Sequence, residues 1–354
     1  MNKRIIFPCA NTAELQETPM PPAPGPGEVL VKLVRSCISN GTERANLTGV
    51  PDDGVGITRG NPDKASWPRG SGYSSSGIVE AIGEGVSSVR PGDRVAISWS
   101  LHVQYICRPE NQVYKIPDNV SFEAAALTHI STFPMGAIRK CRLEIGESAI
   151  VMGQGVLGQL AVMILRAAGA TPVIAADPIA EKRAQALSIG ADVALDPTSP
   201  DFADQAMALC DRQRKVVRGI FQDRGPQVGI EVTGNGKALD MLLDAIAPFG
   251  RIALLGCTRD SNFTIDYYHK VHGRGVTLVG AHTLARPEDN DAPGWWTTRS
   301  DALAFLKLQE LGRISLDHFV SEVHSPEECP EVYARLAKGG AFPVVEFDWT
   351  RLDG

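Results

Sequence analysis

The strongest chemical signal in the 354-residue sequence is carried by three glycines and one acid. Gly153, Gly155 and Gly158 spell G-x-G-x-x-G, and Asp177 follows at the distance a dinucleotide-binding motif requires. Glycine at 153 permits a sharp turn. Glycine at 155 removes the Cβ that would keep a pyrophosphate from the backbone, and glycine at 158 lets a helix lie close on its strand. The helix N-terminus offers N–H groups and the positive end of its dipole to phosphate oxygens. A carboxylate at 177 accepts hydrogen bonds from both ribose hydroxyls and repels a 2′-phosphate, so the pattern predicts NAD rather than NADP.

Such residues need a strand, a turn, a helix and a second strand to hold them. Ala149 to Met152 is a short apolar β-type run, an apolar segment of helix length reaches Ala168, and a second apolar run, Val173 to Ala176, ends at the acid. Beyond it, helices expected over 180–189, 201–210 and 236–247 alternate with strands near 193–196 and over 228–232, 251–256 and 276–281. That alternation predicts a parallel sheet with right-handed crossovers. The charged stretch 210–225 reads as an insertion with a solvated face.

Residues 1–120 have a different texture. Short β-type runs such as Val29 to Val34 and Arg94 to Ile97 are separated by turns such as Pro91-Gly92-Asp93, which predicts a compact, barrel-like β domain. At Ser121 the period changes to that of a helix, with Ser121 as N-cap. After an acidic, tryptophan-bearing loop over 282–300, a helix from Asp301 and a β tail, PVVEFDW, are expected to return to the first domain.

Polar residues cluster early. Ser39, Asn40, Thr42, Glu43 and Arg44 read as a site loop within 36–49, and 50–72 as a long functional loop rich in Gly, Pro and Asp. With the run Tyr73-Ser74-Ser75-Ser76 they point to a polyhydroxylated small substrate: a sugar, polyol or cyclitol. A net charge of −6 argues against nucleic acid or an anionic membrane as the main partner. Seven scattered cysteines without a C-x-x-C pair, and an N-terminus without a basic-then-apolar leader, predict reduced thiols in the cytoplasm. The most apolar stretch is broken by glycines, so no membrane span is expected.

The motifs G-E-G-V-x-x-V-x-P-G-D-R-V at 83–95, V-x-x-G-x-G-V-x-G at 150–158, E-V-T-G at 231–234 and L-L-G at 254–256 fall in one order along the chain. In this the sequence resembles the medium-chain dehydrogenase/reductase family, over essentially its whole length. The resemblance implies an α/β protein: a GroES-like β-rich catalytic domain over 1–130 and 282–354, and a Rossmann domain, doubly wound about a parallel sheet, over 131–281. It implies further cofactor contacts at Val156 and Leu157, at Val232 and Gly234, at Gly256 and Cys257, and at Ala281 and His282. It also suggests a homodimer or homotetramer, paired through the strand at 276–281.

The chain departs from the zinc-dependent members of that family at each ligand position. Their first-loop cysteine falls on Ser39 or Asn40, their G-H-E becomes Gly72-Tyr73-Ser74, and a further cysteine is replaced by His129. The four-cysteine lobe for a structural zinc is missing. Hydroxyl and amide groups are poor zinc ligands, so no metal is expected. Ordinary side chains must then do the work around the carbinol oxygen. Histidine's ordinary pKa of about 6.5 suits His129 for proton transfer, whereas Tyr73 would need its pKa lowered. Thr42 stands where the family places a hydroxyl relay, Glu43 is expected to orient a partner or a substrate hydroxyl, and His282 to reach the same site. The expected activity is NAD-dependent, zinc-independent hydride transfer between a secondary alcohol and its ketone. An NADPH-dependent quinone or enoyl reductase and a non-catalytic nucleotide binder stand as alternatives.

Overall fold

The computed structural model describes residues 1–49, 67–258 and 262–352; most of the loop expected over 50–72 lies outside them. The chain divides into two compact units, Met1–Ile130 with Thr298–Gly354, and Ser131–Thr297.

The second unit is built on six parallel strands. In spatial order they are Val193–Leu195, Val173–Ala176, Ala149–Met152, Val228–Glu231, Arg251–Leu254 and Thr277–Gly280. The first strand in sequence lies inside the sheet, and the chain winds outward from it in both directions. That is the 3-2-1-4-5-6 order of a Rossmann fold, whose ligand crevice lies at the carboxyl ends of the strands where the winding reverses. Ala149–Met152 and its neighbours Val173–Ala176 and Val228–Glu231 are apolar and buried on both faces, apart from Glu231. Such runs suit the centre of a covered parallel sheet.

In the first unit, six strands form the main path of a largely antiparallel sheet: Glu322–His324, Val345–Asp348, Glu28–Cys37, Ser74–Ile82, Arg94–Ser98 and Val113–Lys115. Tyr105–Pro109 also pairs with Glu28–Cys37. Alternate residues Val29, Val31 and Leu33 enter a core shared with Phe347, Tyr333 and Trp349. The strand Val345–Asp348 thus joins the β-rich unit across the whole intervening Rossmann unit, as the β tail predicted.

Two boundaries differ from expectation. Most of the stretch read as a polar loop over 36–49 is a helix, Asn40–Thr48, closed by Gly49 in the left-handed region at φ 72. Asn, Gly and Thr favour helix poorly, and the helix is held by burying Glu43, Ala45 and Leu47. Residues 282–297, expected in the first domain, belong to the second unit. Arg286 donates to the Thr132 carbonyl at 2.8 Å, the Arg139 guanidinium lies 3.5 Å over the Trp296 ring, and the Lys140 ammonium 4.7 Å over Trp295. Cation–π contacts of this kind bind the segment to the helix Thr128–Lys140. The insertion at 210–225 contains a small hairpin, Lys215–Val216 against Phe221–Gln222, held by an Arg214–Asp223 ion pair.

Candidate active site

The glycine turn follows the buried strand Ala149–Met152. Gly153 has φ 98, a conformation natural to glycine, and a Cβ on Gly158 would fall 1.9 Å from the Gly153 carbonyl oxygen. Both glycines are therefore required by the protein itself. Gly155 differs: nothing lies within 4 Å of where its Cβ would stand. It is the N-cap of the helix Val156–Ala167 and supplies no side-chain cap, so the first-turn N–H groups at Val156, Leu157 and Gly158 have no intrahelical acceptor. An open cradle over an uncapped helix start fits a pyrophosphate.

The other expected cofactor residues all lie at the carboxyl ends of this sheet. Asp177 follows the strand Val173–Ala176. It accepts the Gln154 N–H at 2.7 Å on one oxygen and the Ile179 N–H at 2.9 Å on the other, and each oxygen keeps a second lone pair for a ribose hydroxyl. Val232 and Gly234 sit in a turn shaped by the Glu231 carboxylate, which accepts the Thr233 N–H at 2.8 Å and the Gly234 N–H at 3.1 Å. Burial raises the Glu231 pKa, against those hydrogen bonds. Gly256 packs its backbone on that turn: a Cβ there would meet the Gly234 nitrogen at 2.2 Å, and one on Gly234 the Cys257 carbonyl at 2.4 Å. Ala281 is buried after the strand Thr277–Gly280, and His282 Nδ1 accepts the Leu284 N–H at 3.2 Å.

In the first unit a polar and aromatic cluster gathers four of the other expected residues. The Tyr73 hydroxyl donates to Ser39 Oγ and also hydrogen-bonds the Thr42 side chain. His129 is buried with its ring centroid 5.6 Å from that of Tyr73, and its Nδ1 lies 2.8 Å from Ser98 Oγ, which is 2.9 Å from the Tyr114 hydroxyl. Trp99 completes the cluster, 4.6 Å from His129 and 6.0 Å from Tyr73. Its φ of 58 is unusual for a bulky residue. Nothing in the spacing of the sequence singled Trp99 out.

The Tyr73 expectation is corrected, and the other expected residues of this unit have internal partners. The Tyr73 pKa is raised, not lowered: burial dominates, the Ser39 hydrogen bond opposes it, and the Glu43 charge adds to the rise. The phenol is a hydrogen-bond donor, not a base. Glu43 faces inward. It is fully buried and accepts the Ser39 N–H at 2.8 Å, His102 Nε2 at 3.0 and 3.1 Å, and the Tyr333 hydroxyl at 2.5 Å, so it is engaged with the protein rather than presented to a substrate. Asn40 Nδ2 donates to the Phe342 carbonyl at 3.3 Å. Ser74, Ser75 and Ser76 are buried against the Ala126 carbonyl, Ser100 and the Phe122 carbonyl. A run that read as substrate-facing polarity is internal wiring, and His102 is likewise buried, bonded to Glu43 and Ser36.

Ser39, Tyr73 and His129, which the resemblance places at the zinc-ligand positions, make a donor set that does not fit a zinc ion. Ser39 and Tyr73 present neutral hydroxyls already bonded to each other, beside a single imidazole. Among the described residues, no group of three or more His, Cys, Asp or Glu side chains is arranged to hold a metal.

The parallel Rossmann sheet of one unit and the largely antiparallel sheet of the other are the folds of a dehydrogenase with a GroES-like domain. The alcohol dehydrogenase GroES-like domain family matches residues 25–163, and the zinc-binding dehydrogenase family residues 156–293. The chain belongs to the zinc-type medium-chain dehydrogenase/reductase family. It is 28% identical to the L-threonine 3-dehydrogenase of Pyrococcus furiosus, over 95% of this chain and 94% of the relative. It is 30% identical to that of Francisella tularensis, over 75% and 82%. Among solved structures it is similar to galactitol-1-phosphate dehydrogenase from Escherichia coli, with a TM-score of 0.79 and 20% identity, covering 98% of this chain and 99% of that one. It is also similar to a putative zinc-binding dehydrogenase from Sinorhizobium meliloti bound to NADP, with a TM-score of 0.77, 20% identity and the same coverage.

Proposed function

We propose that this chain is an NAD-dependent, zinc-independent oxidoreductase that interconverts a secondary alcohol and its ketone, with a sugar, polyol or cyclitol as substrate. One observation carries it: a protonated Tyr73 hydroxyl is oriented by Ser39 and Thr42 beside the His129 ring, all at positions that the family resemblance aligns with zinc ligands or their neighbours. With substrate bound, Tyr73 turns its single proton from Ser39 Oγ to the carbinol or carbonyl oxygen and accepts the Ser39 hydroxyl in return, and His129 exchanges the proton. Trp99 walls the cluster and keeps water from it. Gly155, the helix start at Val156 to Gly158, Asp177, Val232, Gly234, Gly256, Cys257, Ala281 and His282 hold the cofactor. When bound, the nicotinamide ring supplies the hydride acceptor or donor.

The similarity to L-threonine and galactitol-1-phosphate dehydrogenases supports an alcohol of this kind, and both compounds belong in the substrate screen. The seven free cysteines suit a reducing, cytoplasmic compartment. No helix among the described residues is long and apolar enough to cross a membrane. A homodimer or homotetramer remains the expected assembly, to be read by light scattering.

Calorimetric titration with NADH and NADPH tests the cofactor. Tight binding of NADPH with no binding of NADH would sink the NAD assignment in favour of the reductase alternative. A screen of polyols, sugars and L-threonine with NAD, read at the NADH absorbance band, tests turnover; a nucleotide binder without turnover builds up no reduced cofactor. Activity that survives EDTA, in protein free of zinc by elemental analysis, is expected.

A further inference from the structure

We infer that His102 is a positioning residue for the Ser39–Tyr73 hydroxyl pair, acting on both of its members at once. This deepens the proposed function, since that pair carries it.

His102 is 1% exposed and holds the two segments that bear the pair. Toward Ser39 it works through Glu43. Ser39 occupies the N-cap of the helix Asn40–Thr48, yet its hydroxyl makes no cap. The Glu43 carboxylate accepts the Ser39 N–H at 2.8 Å and so fixes the Ser39 backbone, while Ser39 Oγ, unused as a cap, accepts the Tyr73 hydroxyl. A buried carboxylate holds one place only while donors surround it. His102 Nε2 supplies such a donor, at 3.0 and 3.1 Å from the two oxygens, and the Tyr333 hydroxyl another.

Toward Tyr73 the contact is steric. Gly72, the residue before it, has φ 92, and a Cβ there would meet His102 Cδ2 at 2.7 Å and the His102 nitrogen at 2.8 Å. The His102 N–H donates to the Ser71 carbonyl at 2.8 Å. The imidazole is fixed from behind: Nδ1 lies 2.7 Å from Ser36 Oγ, which also accepts the Trp349 indole N–H at 2.8 Å. The ring can neither turn nor retreat, so Glu43 and the Ser71–Gly72 backbone keep one spacing.

The test needs no substrate. The full-length protein is labelled with 13C at tyrosine Cζ, and the Tyr73 resonance is assigned as the one lost in Tyr73→Phe. That resonance reports the hydrogen bonding of the phenol. Ser39→Ala, which deletes the acceptor, sets the size of the shift. His102→Phe keeps a ring of similar bulk without either nitrogen, and it should move the resonance at least half as far as Ser39→Ala. His102→Gln, which keeps a donor near the Glu43 carboxylate, should return it most of the way. Should His102→Phe fail to fold, Tyr333→Phe removes one donor from Glu43, and a smaller shift in the same direction is expected. A resonance that stays in place in folded His102→Phe, or in Tyr333→Phe where that variant stands in, overturns the inference. NADH affinity should stay within twofold of wild type, showing that the Rossmann unit is intact. If the resonance moves as expected while Tyr73→Phe keeps full turnover, the positioning role stands and the part given to Tyr73 in the chemistry falls.

Discussion

Asp177 accepts the backbone N–H of Gln154, the residue between the first two glycines of the turn, at 2.7 Å. The carboxylate that would bind a ribose therefore also fixes the turn that would bind the phosphates. Hydrogen bonds to charged groups contribute about 1.5–3 kcal/mol each. Asp177→Ala should weaken NADH binding roughly tenfold to a hundredfold by titration calorimetry, and should narrow the preference over NADPH because the repelling charge is gone. Unchanged NADH affinity would exclude Asp177 from the cofactor site.

Gly155 and Gly158 separate binding from folding. Alanine at 158 collides with the Gly153 carbonyl, and overpacking of that kind costs about 1–3 kcal/mol; its melting temperature should drop by several degrees. Alanine at 155 enters open space at an ordinary negative φ. Gly155→Ala should melt with the wild type while losing NADH affinity by an order of magnitude or more, because its methyl occupies the phosphate cradle.

Tyr73 and Tyr333 are both buried beside the Glu43 charge, and both phenols are held above their ordinary range, chiefly by burial. A raised folded-state value means that the fold favours the protonated form. The stability this confers is complete below the unfolded value near 10 and is lost as pH rises toward the folded value. Absorbance at the phenolate band should show these two of the six tyrosines ionising only as the chain unfolds in alkali. Removing the donor in Tyr73→Phe should lower turnover about a hundredfold, with NADH affinity unchanged.

Glu346 is the reverse of Glu43. It is fully buried, and among the described residues neither of its carboxylate oxygens has a hydrogen-bond partner. Burial, then the Glu123 charge, pushes its pKa well up, with Arg35 opposing. Folding takes up a proton here, so above the unfolded value near 4.3 stability falls by up to about 1.4 kcal/mol per pH unit until the folded value is passed. Glu346→Gln should melt higher than wild type at pH 8, with the gap closing toward pH 4. Parallel melting curves across that range would show that Glu346 does not titrate as described.

Local chemistry made the Rossmann half legible. Gly153, Gly155, Gly158 and Asp177 announce themselves because a tight turn, a close approach and a strand-end acid each restrict one position to one residue type. The β-rich half hid more. Glu43 and Ser74 to Ser76 look like solvated polarity in the sequence, because the groups that satisfy them are far along the chain: Tyr333 lies 290 positions from Glu43 and His102 59 positions from it. No periodicity marks such partners. The helix Asn40–Thr48 was missed for the same reason, since its stability comes from Glu43 and Leu47 being buried rather than from residues that favour helix. The assignment of 282–297 to the first domain failed because Trp295 and Trp296 lie over Arg139 and Lys140, a match that two aromatic letters in a loop do not reveal.

The strand Val345–Asp348 lies between Glu322–His324 and Glu28–Cys37, and Trp349 bonds Ser36 from 313 positions away. During synthesis the ribosome therefore releases every residue of the Rossmann unit before the sheet of the β-rich unit can close. The nascent chain carries the Arg35–Cys37 end of that strand with one flank bare for that whole interval, its Glu28–Lys32 part being paired with Tyr105–Pro109. Chaperone protection, if the chain depends on it, is needed at that flank.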